Sequence, residues 1–188
     1  MPVLDHFGVI APYYDRLIRL RTAEKLIEMA NLPVTGALLD AGGGTGRVAA
    51  ALPGLVTSVV VADLSFDMLK QAHKKDGLQT VCSHTEKLPF PDGSFDRVIM
   101  VDALHHVINH DETASELWRI LKLGGRIVIE EPDIRTFSVK IVALAEKIAL
   151  MRSHFLAPSA IVNLFPYVNA LPRIERDGFN AWVIIDKV

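Results

Sequence analysis

The sequence predicts an α/β fold built on a doubly wound, mostly parallel sheet, and three observations carry that expectation. Apolar runs of strand length recur roughly 20–30 residues apart, and helical patterns fill the gaps between them. Two of the runs, "VIMV" at 98–101 and the three residues after Arg126 in "RIVI", are continuously apolar rather than alternating, as strands covered on both faces are. A third run, "LLDA", passes directly into "GGGTG", a glycine-rich turn of the kind that joins a strand to a helix.

The elements follow in order. Residues 11–30 read as helix in two pieces, with Asn31 and Pro33 closing them. Residues 36–40 are a first strand, and 47–52 the helix after the glycine turn. The second strand starts near Thr57 and stops at Asp63; Ser65 then caps a helix running to about Lys75. "LQTVCSH" is a weaker third strand and "LPFPDGSF" a loop. The fourth strand lies in "DRVIMVDAL". A helix opens at Asp111 or Thr113 and ends at "LKLGG", where glycine is the usual stop. "RIVIEEPD" is a fifth strand ended by Pro132. Helical stretches over 137–151 and 159–170 follow, and "FNAWVIIDKV" is the last strand. No repeat, linker or boundary divides the chain, so 1–188 is expected to be one domain, with a helical cap at 7–30 and a helical lid at 134–178.

The chain has 188 residues, enough for one domain with a substantial core, and 50% of them are hydrophobic, which excludes a disordered polymer. The net charge is −2 and no long Lys/Arg run occurs, so no nucleic-acid partner is expected. Cys82 stands alone, which points to a reduced, cytoplasmic setting. The start lacks the layout of a signal peptide, and no apolar run reaches the roughly 20 residues of a bilayer span.

Ligands of open parallel sheets bind outside the carboxyl ends of the strands. Here those ends are the glycine turn, Asp63, "SHTEKLPF", residues 102–106 and "EEPD". The turn fails the dinucleotide pattern, because Arg47 stands where its third glycine would be, and it lacks the Lys-Ser/Thr of a P-loop. What remains is Asp40, Gly42, Gly44 and Gly46 in the order Asp-x-Gly-x-Gly-x-Gly. A helix start behind such a turn offers N–H groups and a positive dipole end to an anion.

That pattern resembles the first motif of class I S-adenosylmethionine-dependent methyltransferases. "ADLSFDML", "HTEKLPFPDGSFDRVIMVDALHHV" and "LWRILKLGGRIVIEEP" resemble later segments of the family in the same order, and "FGVIAPYYDRL" resembles the leader of the group that methylates ubiquinone and menaquinone precursors and related small molecules. The resemblance, over residues 7–133, implies a Rossmann-like methyltransferase fold and S-adenosylmethionine as cofactor, with S-adenosylhomocysteine as product. It implies that Asp63 grips the ribose hydroxyls, that Leu64 and Met68 line the adenine side, and that Tyr14 covers the cofactor. Asp40 would hold the cofactor's amino group, the loop N–H groups its carboxylate, and Asp102 would stand nearby. Where the family carries an acid near the adenine amino group, this chain has His84, followed by Thr85; a neutral imidazole can accept that hydrogen bond. The family's sheet also closes with a two-strand hairpin, whereas this sequence reads as ending after one strand. That leaves either a shorter sheet or an open edge for a second copy to cover.

Methyl transfer from a sulfonium asks mainly for position, and orientation alone can supply ~7–11 kcal/mol of a barrier. A general base is needed where the acceptor must lose a proton. The candidates are His105 and His106, then Glu130, Glu131 and Asp133. Glu130 and Glu131 point to opposite faces of a strand, so at most one faces the site. His105, His106 and His110 lack the accompanying ligand pattern of a metal centre, and no metal is expected. The apolar residues of 134–178 suit a small apolar or aromatic acceptor, or packing on the sheet or on a second copy. A cofactor-binding protein without turnover, or a regulatory partner, is the alternative.

Overall fold

The structure, a computed structural model, describes residues 23–136 and 154–188. A single seven-stranded sheet runs through it: β1 (Ala37–Ala41), β2 (Ser58–Asp63), β3 (Leu78–Cys82), β4 (Phe95–Val101), β5 (Leu121–Pro132), β6 (Ala170–Asp177) and β7 (Asn180–Lys187). Their spatial order is β3-β2-β1-β4-β5-β7-β6, and only β7 runs against the rest. The described helices are α1 (Ala23–Met29), α2 (Phe66–Ala72), α3 (His110–Ile120) and α4 (Pro158–Asn163). None is long and apolar enough to cross a membrane.

Period-two alternation splits the core into two layers. Leu39, Val98, Met100, Ile127, Ile129 and Val183 face Leu117 and Trp118 of α3 and Ile161 of α4. Leu38, Val61, Ile99, Val128 and Trp182 face Leu26 and Met29 of α1 and Leu69 of α2. Each central strand is buried on both sides, which is why its sequence reads as an unbroken apolar run. Asn31 leaves α1 at φ 52, the left-handed stop that Asn tolerates. Below it, Arg97 Nε donates to the Ala30 carbonyl and Arg126 to that of Met29, so two strand arginines sit at the negative end of the helix.

Four expectations are corrected. The sheet does not stop short: β6 and β7 form the closing hairpin, with Ile174 opposite Val183 and Asp177 opposite Asn180. The case for a second copy completing the sheet therefore loses its premise. Residues 134–178 are not a helical lid throughout, because 170–177 is a strand and the described helix there is α4 alone; 137–153, like the cap residues 7–22, lie outside the described residues. The segment after the glycine turn is a 3-10 turn (Ala49–Ala51) instead of an α-helix: Ala50 N–H bonds four residues back, to Gly46, but Ala51 and Leu52 N–H bond only three back, to Val48 and Ala49. Finally, α3 is capped by the Asn109 side chain, which accepts from Glu112 N–H, and it ends at Ile120. "LKLGG" already belongs to β5: Leu121 pairs with Phe95 and Arg126 with Arg97, so the residues between them bulge out of the ladder.

Candidate functional site

The glycine turn and Asp63 meet across the neighbouring parallel strands β1 and β2. Gly42 and Gly43 N–H both donate to the Ala62 carbonyl, at 2.7 and 3.2 Å, and Gly44 N–H donates to Asp63 Oδ2 at 2.8 Å. The other Asp63 oxygen accepts from Ser65 N–H at 2.7 Å, so one carboxylate ties the turn to the start of α2. Gly46 N–H donates to Gly43. All four glycine N–H groups thus have partners inside the protein, and a three-residue 3-10 turn carries little dipole. The expectation that this turn offers free N–H groups and a helix end to a carboxylate is corrected on both counts.

The glycines are needed mostly by the protein itself. A Cβ on Gly43 would lie 2.5 Å from the Asp40 carboxyl, and one on Gly42 2.8 Å from Ala103 Cβ. Gly44 differs. At φ +55 it stands in the left-handed region, and a Cβ there meets only Asp63 Oδ2, at 3.9 Å, so this is where the turn is open.

Asp40, at 1% exposure, lies beneath Gly43, and its Oδ2 has no hydrogen-bond partner among the described residues. Burial raises its pKa to about 7, the Asp63 charge adds to the rise, and Arg47 and the Ala49 N–H oppose it. A buried, orphaned acceptor at this position fits a ligand that brings a hydrogen-bond donor, such as an ammonium group. Without ligand, the folded state holds a proton that the unfolded chain gives up around 3.8, the ordinary value for an aspartate, so this residue makes stability fall as pH rises from about 4 to about 7. Asp40→Asn is expected to escape that loss. In urea melts of the free protein its advantage over the parent should grow by about 2 kcal/mol between pH 5 and pH 8.

The remaining predicted residues are brought near the strand ends unequally. Leu64 is exposed, whereas Met68 is buried in α2. Phe66, which the motif reading passed over, stands exposed beside Leu64. His84 is open, 3.8 Å from Glu86. Thr85 turns inward, its hydroxyl 3.2 Å from that of Thr113 on α3. Asp102 ends β4 at φ 51, with Arg47 Nη2 3.9 Å away; burial, then the Glu131 charge, raise its pKa. Tyr14 lies outside the described residues.

The two glutamates of β5 divide as the strand period requires. Glu131 accepts from Ala103 N–H at 3.0 Å and Leu104 N–H at 2.7 Å, and its Oε2 lies 2.6 Å from His105 Nδ1. His105 is buried and stacked on Phe155 at 4.4 Å. The His106 ring lies 3.9 Å from that of His105, and burial and its neighbour pull its pKa down to about 3. Glu130 faces the opposite layer, where Asn180 Nδ2 donates to its Oε1 at 2.6 Å. Burial, and then the charge of Asp102, raise the Glu130 pKa to about 7. Asn180 was not legible as a site residue, because its place depends on β7 pairing with β5, Asn180 opposite Pro132. Asp133 is paired with Arg135 at 2.6 Å. Among the described residues no group of three His, Cys, Asp or Glu side chains could hold a metal ion.

Residues 39–129 match the family model of the methyltransferase domain. A ubiquinone/menaquinone biosynthesis C-methyltransferase UbiE of Pseudomonas aeruginosa is 36% identical over 146 residues, covering 69% of this chain and 57% of that protein. The Pseudomonas putida protein of the same name is 36% identical over 115 residues, or 56% of this chain and 45% of its own length. The chain thus spans about half the length of the curated relatives it matches. Among solved structures, a SAM-dependent methyltransferase of Thermotoga maritima superposes with a TM-score of 0.77 at 22% identity, covering 97% of this chain and 98% of that one. One from Aquifex aeolicus gives 0.72 at 17% identity, with 94% of each covered. At such identities the likeness is one of fold.

Proposed function

We propose that this chain, which belongs to the class I S-adenosylmethionine-dependent methyltransferases, transfers a methyl group from that cofactor to a small-molecule acceptor with an apolar or aromatic body. The observation that carries the proposal is the 2.8 Å contact between Asp63 and the open glycine, Gly44, across adjacent strands. It sets a carboxylate for a sugar beside a half-buried glycine whose Cβ position is open. The unpartnered Asp40 oxygen supports the same assignment, since the cofactor carries an ammonium group. When bound, the cofactor supplies a methyl group on a positively charged sulfur. The protein then has to bind, orient and exclude water.

The relatives named for ubiquinone and menaquinone biosynthesis support an acceptor with a quinol-like ring and attack through carbon. The net charge of −2 argues against a nucleic acid. Titration calorimetry with S-adenosylmethionine, S-adenosylhomocysteine and NAD tests the assignment directly. Binding of the first two and not the third is expected; binding of NAD alone would end it. Release of S-adenosylhomocysteine across a panel of ring hydroxyl compounds then separates an enzyme from a binding protein.

A further inference from the structure

At the carboxyl end of β5, Glu130 is 7% exposed, yet the one hydrogen bond of its side chain among the described residues is the Asn180 amide on Oε1. No described cation forms an ion pair with it. Arg47, a positive charge that acts on it, sits against Asp102. Its neighbour Glu131 is the opposite case, with every oxygen engaged by backbone N–H groups or by His105. Glu130 shares its face of the sheet with Val128, Leu38 and Asp40, so it stands in the layer that holds the orphaned Asp40 oxygen. A second orphan adjoins it: Asn180 Oδ1 is buried with no partner, so the amide that orients Glu130 has an acceptor left over. Asn180 Oδ1 is thus a buried acceptor left over, and Glu130 Oε2 accepts no hydrogen bond from a described residue; both suit a ligand that brings a donor.

We infer that Glu130 is the general base for a hydroxyl-bearing acceptor, a phenol or enol, and that Asn180 orients its carboxylate. The inference rests on the methyl-transfer reading above. The acceptor O–H bond breaks and its proton passes to Glu130 Oε2. The electron pair left on oxygen either attacks directly or is delivered through the ring to carbon. The new bond to the methyl carbon forms as its bond to the sulfonium breaks, that pair staying on sulfur. Attack through carbon also releases a ring proton, which goes to water. The groups bearing on Glu130 are Asp102 at the end of β4, Glu131 beside it, Arg47 behind the glycine turn and neutral Asn180 on β7. With a pKa of about 7 it is half ionised near neutrality, where a general base works best. The histidines suit the task less. His106 at about 3 is too weak a base, and His105 is committed to Glu131 beneath Phe155.

The test compares the parent with Glu130→Gln and Glu130→Asp. Acceptors are catechol, 4-methylphenol and 1,4-dihydroxynaphthalene kept free of oxygen, and the readout is S-adenosylhomocysteine released from S-adenosylmethionine. At pH 7, Glu130→Gln should lose about 10²–10⁴ in kcat, while its affinity for S-adenosylhomocysteine stays within threefold. Its rate should keep climbing to pH 10 as the acceptor ionises unaided, whereas the parent levels off above about 7. Glu130→Asp should recover part of the loss. Independently of turnover, infrared difference spectra of the free protein between pH 6 and pH 8 should show a carboxyl titration that Glu130→Gln lacks. Superimposable infrared titrations, or a Glu130→Gln rate within threefold of the parent, would overturn the inference. So would S-adenosylhomocysteine binding with no turnover of any acceptor in the panel, and in that case the assignment of the cofactor site would survive while the chain would stand as a binding protein toward ring hydroxyl compounds. Failure to bind S-adenosylhomocysteine at all would sink that assignment instead.

Discussion

Replacing Glu131 with alanine should destabilise the protein by about 3–5 kcal/mol, since the buried groups it satisfies lose their partner at roughly 1–3 kcal/mol each. The side chain accepts from two consecutive backbone N–H groups and lies against His105 Nδ1, all within 3.0 Å and almost wholly out of water. Alanine leaves three buried polar groups without a partner, and such groups keep their full desolvation penalty. For a chain of this size each kcal/mol moves the melting temperature by roughly 2–4 °C, so a fall of about 6–20 °C is expected in a calorimetric scan. Glu131→Gln should fall in between, because an amide oxygen can still accept from Ala103 and Leu104 while its NH2 confronts His105. A melting temperature within about 2 °C of the parent for the alanine variant would mean that the turn after β4 is held by something else.

Loss of the Asp63 carboxylate should weaken S-adenosylhomocysteine binding by about 1.5–3 kcal/mol, the worth of a hydrogen bond to a charged group. That corresponds to roughly 10- to 150-fold in Kd by calorimetry. Alanine confounds two effects, since Asp63 also anchors Gly44 and Ser65. Asparagine separates them in part: its oxygen can still accept from Gly44 N–H, but the charge that would face a ribose diol is gone. If Asp63→Asn binds as tightly as the parent and Asp63→Ala does not, the residue is a strut for the glycine turn and the sugar contact lies elsewhere.

How much of this could be read from the sequence depends on whether the cause was local. The glycine turn, Asp63 and the parallel strands were legible because each is written in consecutive residues. The hairpin was not. Strand β6 reads "ALPRIERD", with Pro172 and four charged residues, and most of it is exposed in the fold. Proline and charge are what an outermost strand carries to discourage further pairing, and by composition alone they look like a loop. Asn180 was invisible for the same reason, since its contact with Glu130 exists only once β7 lies beside β5. The glycine N–H groups were misjudged because their acceptors, Ala62 and Asp63, lie on the next strand. For the histidines, residue type suggested a base; what the sequence hid is that burial pulls the His106 pKa down to about 3 and that His105 lies against Glu131.

The bulge at the foot of β5 governs which glutamate does which job. Side chains on a strand change sides with every residue, so moving this one by a single step would send Glu131 to the layer of Asp40 and take Glu130 from it. Between Leu121 and Arg126 the chain is out of register with β4, so a residue gained or lost there can be absorbed as slack. The same change two positions beyond Arg126 has nowhere to go and would exchange the two acids. Length variation in close kin should therefore collect at 122–125 and be missing from 127–131.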